Sequence, residues 1–336
     1  MKRTTSRDRC FNFKAFKDKI LYGYQKDKLT NISNISEGHR SPETKDMSWY
    51  WWLNGVINTI TVLGNTLVIL LILTRSSLRT TQNCFVLLLA VADFLIGSVA
   101  FPLYLVYAHK LYPDNYHFKY FVYAIPEFLI YASTTNLCAL TLDRYISIVH
   151  PLKHIQTMKK SNVIRTLVGT WLVAFLVAFV LLLLNLFVKN TEVLRIYVIF
   201  LLCFFDTFPC VCLPIAYFRI LHFVRRQQAR IRAQTNQLQH NYPMNSETER
   251  NIKNKKMMMI RVLGAVIGFF VISHLLFISS AWINYVLTTN PNPILIGISL
   301  SLLYANSAVN VFFYGIFKKD FRGDIAKLFS KRILPA

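Results

Sequence analysis

Seven stretches of mostly apolar residues recur along this chain, each of about 20 residues or more, the length a helix needs to cross roughly 30 Å of hydrocarbon. They run from about Trp49 to Leu73, Cys84 to Tyr107, Phe118 to Ile146, Ile164 to Val188, Ile196 to Phe223, Met257 to Leu287 and Ile294 to Phe317. Backbone polar groups cannot be left bare in lipid, so each stretch is expected to be a helix. Sustained alternation of apolar and polar residues, the mark of a membrane barrel, is missing. The expected fold is therefore all-α, a seven-transmembrane-helix bundle. The balance of 54% hydrophobic against 16% charged residues, with a mean hydropathy of +0.37, exceeds what an ordinary soluble domain buries.

Lys and Arg orient the bundle. They follow the first helix (Arg75, Arg79), the third (Lys153, Lys159, Lys160) and the fifth (Arg225, Arg226, Arg230, Arg232, Lys253, Lys255, Lys256), and return in the tail. Those segments are expected in the cytoplasm and the amino terminus outside. The first 48 residues are basic too, but only Arg40 and Lys45 fall near the first helix, beside Glu37, Glu43 and Asp46. Asn31-Ile32-Ser33 and Asn34-Ile35-Ser36 fit the glycosylation acceptor pattern, which makes Asn31 and Asn34 candidate glycan sites on the outer side. No apolar core of a cleavable leader precedes the first helix, so that helix is expected to act as a signal anchor. The reading divides the chain into an extracellular tail (1–48), a transmembrane domain (49–317) and a cytoplasmic tail (318–336). In the last, Phe317, Phe321, Ile325, Leu328 and Phe329 recur among lysines and Arg322, as in an amphipathic helix on the inner leaflet.

The net charge of +22 sits beside membrane helices, where anionic lipid attracts it, and no nucleic-acid motif accompanies it. Membrane lipid is the expected partner of that charge, and nucleic acid is not. Five of the six cysteines fall inside apolar stretches and Cys10 stands alone, so neither a disulfide scaffold nor a zinc site is indicated. An enzyme would need a clustered nucleophile and base or metal ligands, and no such spacing is present. A transporter, the less favoured alternative, would bring internal repeats and helices broken at midplane.

Polar residues inside the apolar stretches carry the functional signal, because lipid makes them expensive. The third stretch ends in Asp143-Arg144-Tyr145, the second holds Leu89-Ala90-Val91-Ala92-Asp93, and the first holds Gly64-Asn65. Asn306, Ser307, Asn310 and Tyr314 mark the seventh, Pro209 and Tyr217 the fifth, Phe270 the sixth, and Pro151-Leu152 follow the third. In this order and separation the residues resemble those of the rhodopsin-like (class A) G-protein-coupled receptors over about residues 49 to 330.

That resemblance implies a plasma-membrane, multi-pass receptor that passes an extracellular signal to a heterotrimeric G protein. It implies a polar chamber at Asn65, Asp93, Ser133, Asn306, Ser307 and Asn310. Many family members bind sodium there as an allosteric modulator; the alternative is a neutral Asp93 in a packed network. No other cofactor is expected. It also implies a switch in which Arg144 leaves Asp143 to meet Tyr217 and a partner, with Tyr145, Pro151, Leu152 and Tyr314 around it. The chain departs from the family pattern in places. Lys256 stands where many members carry an acid that locks this arginine, and His274, Leu276 and Val311 replace the usual Trp, Pro and Pro. A second external loop, about Lys189 to Arg195, lacks the usual Cys.

The ligand is left open. Glu127 lies 17 residues before Arg144, about five turns toward the outer side at 3.6 residues per turn, and Asp206 lies just before Pro209. Two acids at that depth call for a counter-charge, so a cationic amine or peptide is expected, with Tyr131, His274, Asn284 and Tyr304 as lining. A lipid or nucleoside ligand is the alternative. Tyr304 occupies the position of the opsin lysine, which excludes a retinal Schiff base. Ser330 is the only hydroxyl after Tyr314, so arrestin capture through the tail is expected to be weak.

Overall fold

The computed structural model describes residues 48–108, 116–188, 190–238, 246–285, 287 and 292–317. The candidate glycan sites Asn31 and Asn34 and the tail 318–336 lie outside the described residues. Seven helical rods make up the described chain, and it contains no strand. We number them α1 (Ser48–Thr74), α2 (81–108), α3 (Tyr116–Val149), α4 (Lys160–Phe187), α5 (191–238), α6 (Ser246–Tyr285) and α7 (Pro293–Phe317). A short helix, Pro151–Thr157, joins α3 to α4; Pro151 occupies its first turn, where a missing N–H breaks no bond.

Six rods are long and apolar enough to cross a membrane, among the described residues: all but α3. The reason is its position. α3 packs against α2, α4 and α5, and its polar residues face protein rather than lipid; Thr134, Asn136, Thr141, Asp143 and Arg144 are all buried. Large apolar side chains such as Leu172, Phe175 and Phe179 on α4 and Phe204, Phe208 and Phe218 on α5 are exposed, as a lipid-facing surface requires. Serine and threonine hydroxyls on the rods bond back to carbonyls one turn earlier; Thr59, Thr61 and Thr66 do so to Gly55, Ile57 and Val62.

Two rods carry a π turn beside a proline. In α2 the turn Ile96–Ala100 precedes Pro102, and in α5 the turn Leu202–Thr207 precedes Pro209. Proline lacks the N–H that would bond four residues back, and a wider turn accommodates the lost bond. The α5 turn also places Asp206 inward, where it is buried. The second external loop is shorter than the expected Lys189 to Arg195. Asn190 caps α5 by accepting a hydrogen bond from the Glu192 N–H at 3.0 Å, so the helix begins at Thr191 and Arg195 lies within it, 3.6 Å from Glu192.

Candidate functional site

At the outer end the rods leave a cavity of about 170 Å³. α3 contributes Glu127 and Tyr131, α5 Asp206 and α7 Tyr304, each on the inward face of its helix. Tyr131 lies one turn after Glu127 and its hydroxyl donates to Glu127 Oε2 at 2.9 Å. The remaining wall is aromatic and aliphatic, with Tyr50, Tyr104, Tyr123, Phe277, Leu201 and Leu303 among its members. Among the described residues no lysine or arginine lines it. The cavity therefore offers two carboxyl groups within a largely apolar enclosure.

His274 does not line the cavity. It stands behind Asp206, with Nε2 3.9 Å from Asp206 Oδ1, and Nδ1 donates to the Phe270 carbonyl at 3.0 Å. Its ring stacks on Phe270 with centroids 3.8 Å apart, and Nε2 has no hydrogen-bond partner among the described residues. The Asn284 side chain lies outside the described residues. Tyr50, Tyr104 and Tyr123 were not picked out from sequence; aromatic residues are too frequent in these helices for composition to distinguish wall from lipid face.

Below the cavity, three rods meet at Asp93, which is 0% exposed. Its Oδ1 accepts from the Ser133 hydroxyl at 2.9 Å and the Ser307 hydroxyl at 2.8 Å, and its Oδ2 accepts from Asn310 Nδ2 at 2.9 Å. Asn65 donates to the carbonyls of Thr61 and Ser307, which ties α1 to α7. Among the described residues, the buried Oδ1 atoms of Asn306 and Asn310 have no hydrogen-bond partner. Hydroxyl, carboxylate and amide oxygens are the donor set that hard cations take, so these residues suit the sodium ion that the family pattern implies.

At the inner end Asp143 and Arg144 are both buried, and Arg144 Nε lies 3.9 Å from Asp143 Oδ2. His154, on the short loop helix, donates from Nε2 to Asp143 Oδ1 at 3.0 Å. The proline start of that helix brings His154 back beneath α3, a contact that spacing alone does not announce. Tyr145 meets the His150 ring edge-on at 6.1 Å. Pro151 is exposed, and Leu152 is 78% exposed, an apolar side chain facing outward at the inner surface. Tyr217 packs between α3 and α6. The Tyr314 and Lys256 side chains lie outside the described residues.

Comparison of the sequence with known proteins gives the family. The family profile described as 7 transmembrane receptor (rhodopsin family) matches residues 64–314. The histamine H2 receptor of Homo sapiens is 27% identical over 302 residues, which cover 83% of this chain and 78% of that receptor. The histamine H2 receptor of Rattus norvegicus is 27% identical over 287 residues, 80% of this chain and 76% of that one. The 5-hydroxytryptamine receptor 2B of Dichotomyctere fluviatilis is 32% identical over 150 residues, 44% of this chain and 31% of that receptor.

Proposed function

This chain belongs to the rhodopsin family of seven-transmembrane receptors, and from that premise we propose that it answers a small basic amine bound between Glu127 and Asp206. As a member it is a G-protein-coupled receptor of the plasma membrane, with an extracellular ligand and a heterotrimeric G protein as partners, and not an enzyme. The amine is the proposal. The observation that carries it is the pair of acids in a largely apolar cavity that, among the described residues, has no lysine or arginine in its wall. Carboxylates away from water are expensive unless a cation meets them, and a protonated amine is such a cation. Relatives named for histamine and 5-hydroxytryptamine support the same chemistry.

Binding drives signalling only if the ligand prefers one arrangement of the bundle over another. In the reading proposed here, α6 moves outward, Arg144 leaves Asp143, and its guanidinium meets Tyr217 and the G protein, with Pro151 and Leu152 in the docking surface. Sodium at Asp93 would neutralise the buried carboxylate and favour the resting arrangement; Ser133, Ser307, Asn306 and Asn310 would hold it. The amino terminus outside, glycans on Asn31 and Asn34, and weak tail-dependent arrestin capture belong to the same reading.

Exchange of guanine nucleotide on purified G proteins, driven by histamine, 5-hydroxytryptamine and simple alkylamines, tests the ligand class. Glu127→Gln and Asp206→Asn are each expected to lower potency by about tenfold or more, the loss that corresponds to about 1.4 kcal/mol of binding. Equal potency in wild type and both variants would remove the amine reading. The largely apolar wall favours a second reading, a lipid ligand; a response to lipids that both variants retain would establish it.

A further inference from the structure

We infer that Gly264 is a positioning residue that keeps Tyr217 parked on α6 and away from Arg144 in the resting receptor. The inference rests on the proposed meeting of Tyr217 with Arg144 in the open arrangement. A Cβ built on Gly264 would overlap the Tyr217 side chain, reaching its hydroxyl oxygen, its Cζ, and its Cε2 at 2.7 Å. The phenol ring therefore occupies the volume that a side chain at 264 would take. Gly268, one turn further along the same helix, has nothing within 4 Å of its own added Cβ. The close approach belongs to Gly264 and is not a general property of glycines in α6.

What holds Tyr217 there is shape. Its hydroxyl makes no hydrogen bond among the described residues, so no polar partner anchors it to α6. Around it, Leu137 and Ile148 of α3, Ile220 and Val224 of α5, and Ile260 and Leu263 of α6 form one buried apolar cluster. A phenol in such surroundings gains a hydrogen bond by swinging toward a guanidinium. The notch opposes that swing by giving the ring close packing on α6. The position matters the more because Lys256 stands where many relatives carry an acid to lock the arginine. Ring-on-glycine packing supplies a resting contact between α5 and α6 of a different kind.

A methyl group at 264 meets the far end of a flexible side chain and not backbone. Tyr217 therefore yields before the fold does, and in this inference it swings toward Arg144.

The test uses the full chain in lipid discs with purified heterotrimeric G proteins and no ligand. Gly264→Ala is expected to raise basal nucleotide exchange about fivefold, a bias of about 1 kcal/mol at 1.4 kcal/mol per tenfold. Gly268→Ala, which changes helix propensity on α6 equally, is expected to stay at the wild-type rate. In Gly264→Ala combined with Tyr217→Phe, the rate is expected to fall to that of Tyr217→Phe alone, because the displaced ring lacks the hydroxyl. A wild-type rate in Gly264→Ala at equal amounts of folded receptor overturns the inference. So does an equal rise in Gly268→Ala, or a rise that survives Tyr217→Phe. If Tyr217→Phe alone leaves exchange unchanged, the proposed Tyr217–Arg144 meeting falls, and the inference with it.

Discussion

Val311 fills the space that Gly64 leaves on α1: a Cβ on Gly64 would lie 2.5 Å from Val311 Cγ1 and 3.0 Å from Cβ and Cγ2. The contact joins α1 to α7 one residue beyond Asn310, where many relatives have proline. With a valine N–H present, α7 continues unbroken to Phe317. The rod gains a helix bond and an interlocked side chain in place of a kink.

Gly64→Val is therefore expected to overpack this seam and lower stability by about 1–3 kcal/mol, read as a fall in melting temperature in detergent. Adding Val311→Ala is expected to recover part of the loss. A Gly64→Val receptor that melts like the wild type would show that the seam is not tight.

Replacing Asp93 separates the hydrogen-bond network from the charge. Asp93→Ala leaves the donors on Ser133, Ser307 and Asn310 without their acceptor, at about 1–3 kcal/mol for each buried group left unsatisfied. Asp93→Asn keeps one acceptor, and Asn310 can turn its unpartnered Oδ1 toward the new amide. Asp93→Asn is expected to melt close to the wild type and Asp93→Ala well below it. Exchanging choline for sodium is expected to raise the melting temperature of the wild type and of neither variant. Sodium stabilisation that persists in Asp93→Asn would place the ion elsewhere.

His154→Ala removes the donor to Asp143 Oδ1 from a carboxyl group that is 1% exposed and whose Oδ2 has no hydrogen-bond partner among the described residues. A stability loss of about 1–3 kcal/mol is expected from the unsatisfied acceptor. His154→Gln, which keeps an N–H at similar reach, is expected to recover much of it. Thermal unfolding of the three proteins distinguishes a supporting contact from an incidental one; identical curves would make it incidental.

Much of the fold was legible because lipid enforces a simple code. Apolar runs such as Trp49 to Leu73 and Ile294 to Phe317 fall within one residue of the helix ends at Ser48, Thr74, Pro293 and Phe317. The inner ends of α5 and α6 were not legible in this way. These helices run on to Leu238 and back from Ser246 through polar sequence, where no hydrophobic signal marks them. The resemblance to the family implied that Asp93, Ser133, Ser307 and Asn310 share one polar chamber, and the structure brings Ser133, Ser307 and Asn310 onto the Asp93 carboxyl group. His154 did not stand out, nor did the packing of Gly264 against Tyr217. The role of one depends on how a loop helix folds back, and the role of the other on a side chain it lacks.

The central claim is that ligand bound at the outer cavity moves the inner ends of the helices and frees Arg144 for a G protein. Spin labels at Gln156→Cys on the loop helix and Arg261→Cys on α6, both exposed in this structure, report that movement directly. With an amine that accelerates nucleotide exchange, the account predicts that the label separation lengthens by several ångströms in parallel with the exchange rate, and that Arg144→Ala abolishes the exchange. An unchanged separation while exchange accelerates, or exchange that Arg144→Ala leaves intact, would contradict it.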